Sequence, residues 1–348
     1  MTSPRAEAES PRAESAGIVA GASAAVLAGL IALAVFWGGS LPIAGPGSVS
    51  QSGAIAAGVV AIVAYLAGRL WARGGMTPFG GRRAPATRTP RADVFDTVVI
   101  ALAHGVIALL GWLALGAVLA DGFQGAAVYF LSAAALVGAL CGITAYVALL
   151  SAVGMDLLRL STVLGVFAAV GVLTSMLCAP DPDWWELHLS ALGMTRSISS
   201  LTFNLTLIVA GVIITAIARF ATDAGAATDP GVRHRLVRLR VCLLCLGVLL
   251  AGVGVFPLNV SAVLHNVSAV GMVVVFALLV FWVRAAIPQA PAAFFVLGYC
   301  LFGVVVVALV FFIVGYYVLT AAELVAGGIV FAWLIVFLRV NGAVRAQH

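Results

Sequence analysis

The chain has 348 residues, of which 63% are hydrophobic and 9% charged, with a mean hydropathy of +1.18 and a formal charge of +5. One soluble core cannot hide that much apolar surface, so a soluble globular protein is excluded and a polytopic membrane protein is indicated. The 18 basic side chains are all arginine, without lysine, which reads as the bias of a GC-rich bacterial genome. No nucleic-acid-binding motif accompanies them.

Residues 1–16 are polar and carry Glu7, Glu9 and Glu14, unlike the basic start of a cleaved signal peptide. They read as a cytoplasmic tail. Crossing a hydrocarbon core takes about 20 mostly apolar residues per helix. Segments of that length recur near 17–37, 53–72, 94–119, 125–150, 160–178, 200–220, 238–256, 262–284, 292–314 and 319–339, so an all-α bundle of ten spans is expected. Four spans form an N-terminal portion over 17–156, interrupted by an Arg/Pro/Gly-rich linker at 73–93. Six more form a core over 157–340, followed by a short tail at 341–348.

Arginine-bearing loops resist translocation, which fixes sidedness. Under this threading Arg196 alone lies outside; the other arginines, including those of the linkers 69–91 and 219–240, lie in the cytoplasm with both termini. A bacterial cytoplasmic membrane follows, with anionic lipid of the inner leaflet as the simplest partner of the basic loops. Homo- and hetero-oligomers are both compatible with the sequence.

The segment with the most candidate chemistry is the outer loop 179–199. Trp184 and Trp185 favour the headgroup zone and hold the loop against the membrane. A short helix from Trp184 to Leu192, ended by Gly193, is expected to bring Trp185, His188 and Ser190 or Leu189 near one another by three- and four-residue spacing. A second polar group comes from Pro257 and Asn259 in the outer turn 257–261 and from His265 at the outer end of the eighth span, and Glu323 lies early in the tenth. The outer ends of separate helices can converge, so Asp181, Asp183, Trp185, His188, Ser190, Asn204, Asn259, His265 and Glu323 form the candidate ligand site. The plainer alternative is that the histidines cap helices and the aspartates are solvated. Two imidazoles make His188 and His265 weak candidates for zinc, although ligands from separate spans leave no zinc spacing to recognise. No other cofactor is expected.

His104 lies about ten residues into the third span, roughly 15 Å along the helix axis. A buried ionisable group is a functional suspect, for proton transfer or haem ligation, against a structural hydrogen bond between helices. Asn204 reads as a cross-helix bond of that second kind. The five cysteines, Cys141, Cys178, Cys242, Cys245 and Cys300, fall in or beside apolar segments as small hydrophobes. Cys242 and Cys245 form a C-x-x-C without a second pair. No phosphate-binding G-x-x-x-x-G-K-[ST] run is present, which rules out ATP-driven transport by this chain alone.

The run His188-Leu189-Ser190-Ala191-Leu192-Gly193, then Phe203-Asn204 and Gly211, then Gly254-Val255-Phe256-Pro257 with His265 eight residues on, resembles the Frag/DRAM/Sfk-type six-span membrane proteins, especially their bacterial branch of unknown function. The resemblance covers about residues 157–340. Members of that group with known roles act in remodelling of lipid anchors, lipid asymmetry and autophagy regulation, so it implies a lipid-facing or membrane-organising role. It also implies a shared outer-face site at His188, Ser190, Gly193, Asn204, Pro257 and His265. The expected function is therefore non-enzymatic, with membrane lipid as partner. A secondary transporter or flippase using His104 or Glu323, and a metal-assisted lipid hydrolase or transferase, are the alternatives.

Overall fold

The computed structural model of the chain describes residues 4–73, 90–222 and 229–346, so most of the expected arginine-rich linker lies outside the described residues. Among them, ten helices are long and apolar enough to cross a membrane. The chain divides into two compact units, residues 1–155 and 156–348.

The first unit contains α1 (Pro4–Val35), α2 (Val49–Arg73), α3 (Pro90–Gly122) and α4 (Phe130–Val153). α4 packs between α1 and α2, and α3 lies on α2. Small residues let these helices meet: Ala32, Ala57, Ala133, Ala134 and Cys141 form a core with Val49 and Val137. α1 begins well before the apolar stretch, and the Tyr146 hydroxyl of α4 donates to the Glu14 carboxylate on its polar first turns. An all-helical reading did not anticipate a two-stranded antiparallel ribbon, β1 (Ser40–Pro42) with β2 (Ala127–Tyr129), which ties the α1–α2 loop to the α3–α4 loop.

The second unit contains α5 (Leu157–Leu177), α6 (Ile198–Ala221), α7 (Pro230–Val255), α8 (Leu258–Ala286), α9 (Ala292–Ile313) and α10 (Leu319–Ala346). Successive helices pack in chain order and α10 returns to α5, which closes a ring. Trp333 of α10 is the largest fully buried side chain, with Phe337 stacked at 5.6 Å, Phe294 at 5.8 Å and Phe276 edge-on at 5.6 Å. α8 contains a break at Ser261 (φ −157, ψ 98), so its first turn is offset from the long helix that follows. That turn carries Asn259.

The two ends of this unit differ in charge. Arg159 begins α5, Arg219 ends α6, Arg233, Arg235, Arg238 and Arg240 begin α7, Arg284 ends α8 and Arg339 lies late in α10. At this arginine end the Arg240 guanidinium donates to Thr222 Oγ1 (3.0 Å) and to the Thr222 carbonyl, while Asn341 donates to the Ala221 carbonyl (2.7 Å). Both close the C-terminus of α6, where a cation also opposes the helix dipole. The opposite end holds Arg196 as its one arginine and carries the loop between α5 and α6.

Candidate functional site

The α5–α6 loop is pinned at its base by Ser175 and Ser199, each hydroxyl donating to the other residue's carbonyl at 3.0 and 2.8 Å, all buried. The chain then passes Asp181, whose carboxylate accepts the Asp183 amide (2.9 Å) and opens a 3-10 turn at Trp184–Glu186. The single helix expected over Trp184 to Leu192 is not formed. Leu187 (φ −92, ψ −85) and an extended His188 (φ −164, ψ 157) break it, and a second 3-10 helix runs over Leu189–Gly193.

The break has a physical cause in what captures the second piece. At its start the Glu323 carboxylate of α10 accepts the amides of Leu189 (2.5 Å) and Ser190. At its end the Gly193 carbonyl accepts from the Ser200 hydroxyl (2.8 Å) and the Asn204 amide (3.0 Å), both on α6. Asn259, on the offset first turn of α8, donates to the Met194 carbonyl (2.8 Å). Three helices thus hold residues 189–194 by their backbone polar groups, which a short helix cannot satisfy alone. Gly193 suits this clamp because a Cβ there would stand 2.5 Å from Asn204 Oδ1.

Within the clamp, His188 Nδ1 lies 3.1 Å from Ser190 Oγ, and Ser190 is buried. His265 of α8 is 4% exposed, and its Nδ1 is 3.0 Å from the Phe256 carbonyl at the end of α7. A carbonyl only accepts, so Nδ1 of His265 carries a proton. The two imidazoles are close enough to interact electrostatically. Burial, and then the charge of His265, push the His188 pKa below the ordinary imidazole value.

The folded protein therefore takes up a proton at His188 less readily than the unfolded chain. Its stability is highest above the unfolded pKa of about 6.5 and falls as the pH drops through that value toward the lower folded one. Melting curves from pH 8 to pH 5 are expected to show this decline, and His188→Gln to flatten it. A profile identical in the variant contradicts the assignment.

Of the nine residues expected to converge, the structure brings together His188, Ser190, Asn204, Asn259, His265 and Glu323. Asp181, Asp183 and Trp185 are exposed on the first 3-10 turn and its approach, away from the clamp. Beside them a cleft of about 170 Å³ is lined by Trp184, Leu187, Leu192 and Met194, with Asp181 as its one charged side chain. Ser200 was not anticipated, although it stands four residues before Asn204 and so shares a face with a recognised residue.

Among the described residues, no three His, Cys, Asp or Glu side chains group so as to hold a metal ion. His188 and His265 lack a third donor, because the Glu323 carboxylate is turned to backbone amides. Cys242 and Cys245 are free thiols, the first buried and the second exposed.

His104 belongs to the first unit. Its Nδ1 donates to the Ile100 carbonyl (2.8 Å), Nε2 accepts from Ser151 of α4 (2.9 Å), and the ring packs 4.6 Å from that of Tyr65 on α2. Both nitrogens are thus occupied by protein partners, as in a neutral imidazole that joins three helices.

Residues 162–340, from α5 into α10, match the model of the family DUF998, described as "Protein of unknown function". The matched stretch contains the whole clamp. No curated protein and no solved structure matches the chain. The family match carries the unknown-function description alone, and the narrower likeness to Frag/DRAM/Sfk-type proteins finds no support in it.

Proposed function

From the premise that this chain belongs to the DUF998 family, whose model covers just over half of it, we propose that it is a lipid-interacting or membrane-organising protein whose site accepts a headgroup. That it is a multi-pass membrane protein follows from its ten long apolar helices. The observation that carries the proposal is the imidazole pair. His188 and His265 come from a loop and a separate helix, lie at the same end of the helix ring within electrostatic reach of each other, and neither Nε2 has a hydrogen-bond partner among the described residues.

Sidedness supports this reading. Arginine stays with the cytoplasm, so the arginine end of the second unit faces inward and the imidazoles face out of the cell. Ten crossings return both chain ends to the cytoplasm. Trp184 and Trp185 then lie at headgroup depth, and the apolar cleft beside them suits part of a lipid chain. A lipid role is also what the likeness of the His188–Gly193 and Gly254–Pro257 motifs to Frag/DRAM/Sfk-type proteins implies.

The test is mass spectrometry of lipids and metals retained by the full chain after gentle extraction. Phospholipid is expected to copurify and to be lost from the His188→Ala/His265→Ala double variant while helicity and monodispersity persist. Retention by the variant at the wild-type level overturns the proposal. Zinc that disappears together with a lipid-cleaving activity supports instead the metal-assisted alternative.

A further inference from the structure

We propose that the start of α7 is a docking surface for an anionic phospholipid of the leaflet at the arginine end, a lipid contact independent of the imidazole pair at the other end. α7 runs from four arginines into an apolar stretch that begins at Val241 and carries no charge to its end. Its buried stripe, with Leu239, Leu243, Leu246 and Leu250, turns to the neighbouring helices α6 and α8. The opposite stripe is open: Val237 is 40% exposed, Val241 51% and Val248 63%, and Cys245 is exposed between the last two. Steps of three and four residues carry this lipid-facing stripe back from Val241 to Arg238 and then to His234, both exposed. Cationic end and apolar length thus follow one another on a single helix face, as headgroup and acyl chain do along a lipid.

The charge of this surface is uncompensated. Arg240 is committed to Thr222, where it closes α6. Arg233, Arg235 and Arg238 are exposed, and their side chains make no hydrogen bond or ion pair among the described residues. The two described carboxylates of this end are spent on helix starts: Asp156 accepts the Arg159 amide (2.8 Å) and Asp229 accepts the Gly231 amide (2.8 Å). Because Asp229 caps α7, the anion is met by guanidinium groups and not by free terminal amides. Each arginine near an anionic membrane surface adds to the attraction.

Depth ranks the three arginines. At 1.5 Å per residue Arg238 stands about 4.5 Å before Val241, inside a headgroup layer about 5–8 Å deep, with Arg235 and Arg233 about 9 and 12 Å before it. Arg238 is therefore the direct phosphate contact, where the guanidinium fork can donate two parallel N–H bonds. Arg233 acts from farther out, across a distance comparable to the Debye length of about 8 Å. Arg235 is offset by a neighbour: a Cβ on Gly231 would lie 3.7 Å from Arg235 Nη1 and 3.3 Å from Asp229 Oδ1, so cation and carboxylate flank the same glycine. A free phosphate could use Arg238 but gains nothing from Val241, Cys245 and Val248. The apolar stripe below the charge is what makes the occupant a lipid.

The full chain is mixed with vesicles of equal parts phosphatidylglycerol and phosphatidylcholine and extracted gently, and the retained lipid is counted by mass spectrometry. Phosphatidylglycerol is expected to be enriched about tenfold at about 50 mM salt and about twofold at about 500 mM. Arg238→Gln should remove most of the enrichment, Arg233→Gln about half of it and Arg235→Gln the least. Arg238→Lys keeps the charge without the fork and should fall between wild type and Arg238→Gln. Arg339→Gln is the control, since this exposed arginine of α10 lies across the ring from α7, and it should leave the ratio unchanged. All these positions are exposed, so the variants are expected to stay helical and monodisperse. Enrichment that persists in the Arg233→Gln/Arg235→Gln/Arg238→Gln triple variant, or that falls as far in Arg339→Gln as in Arg238→Gln, overturns the α7 surface in favour of a diffuse field. Enrichment abolished by glycerol phosphate at matched ionic strength overturns the lipid as occupant and identifies a soluble phosphate in its place.

Discussion

Gly247→Leu is expected to unfold the second unit or leave it unable to hold its site. Gly247 of α7 faces Gly211 of α6 at a close crossing: a Cβ on Gly247 would stand 2.6 Å from the Gly211 carbonyl oxygen, and one on Gly211 would stand 2.3 Å from that of Gly247. Backbone oxygens cannot rotate aside, so the helices must separate. In a membrane no hydrophobic drive presses helices together, and close van der Waals packing at such a crossing is a main source of their association. Overpacking of this kind costs about 1–3 kcal/mol for small additions, and leucine adds more than that. The same seam continues to Gly254, whose added Cβ would meet the Asn204 carbonyl at 2.6 Å. Separation therefore reaches Asn204 on one side and Phe256, the partner of His265, on the other. Thermal unfolding in detergent measures the effect. Gly303→Leu on α9 is the control, since nothing lies within 4 Å of a Cβ there. Equal melting temperatures for the two variants contradict the account.

The helices were legible because their signal is local. A run long enough to cross hydrocarbon must satisfy its own backbone, so apolar length alone marks α2, α5 and α9 closely. The eighth span, expected at 262–284, differs instructively from α8 at Leu258–Ala286, because one extra turn precedes the break at Ser261. Polar residues hid the early start of α1, since helical hydrogen bonding does not stop at the membrane surface. The clamp was only half legible. Its polar residues could be named from the sequence, but the break between the two 3-10 segments depends on Glu323, 134 residues from Leu189, and on Asn259, 65 from Met194. Helical spacing inside Trp184–Gly193 carries no trace of partners that distant, so it grouped Trp185 with His188 wrongly. Exposed Asp181 and Asp183 were drawn in by charge, whereas the 3-10 turn they begin needs one of them as a local cap.

Glu323→Ala should release the segment that presents His188. The carboxylate accepts two amides at the start of Leu189–Gly193, and alanine leaves both without a partner in a half-buried place. Each unsatisfied amide costs about 1–3 kcal/mol, reduced where water can enter, so a net loss of about 2 kcal/mol is expected. Glu323→Gln keeps an acceptor oxygen at the same reach and should recover most of this stability, whereas Glu323→Asp, one methylene shorter, should not. Tryptophan emission reports the local change, because Trp184 and Trp185 precede the clamped segment by a few residues and should become more mobile when it is freed. The series also separates capping from proton transfer. A residue that serves only by titrating gives a glutamine variant as inactive as the alanine one and equal to the wild type in stability. A residue that serves as a cap gives the graded order of Glu, Gln, then Asp and Ala in melting temperature. An alanine variant as stable as the wild type contradicts the cap, and with it the reason given for the break at Leu187 and His188.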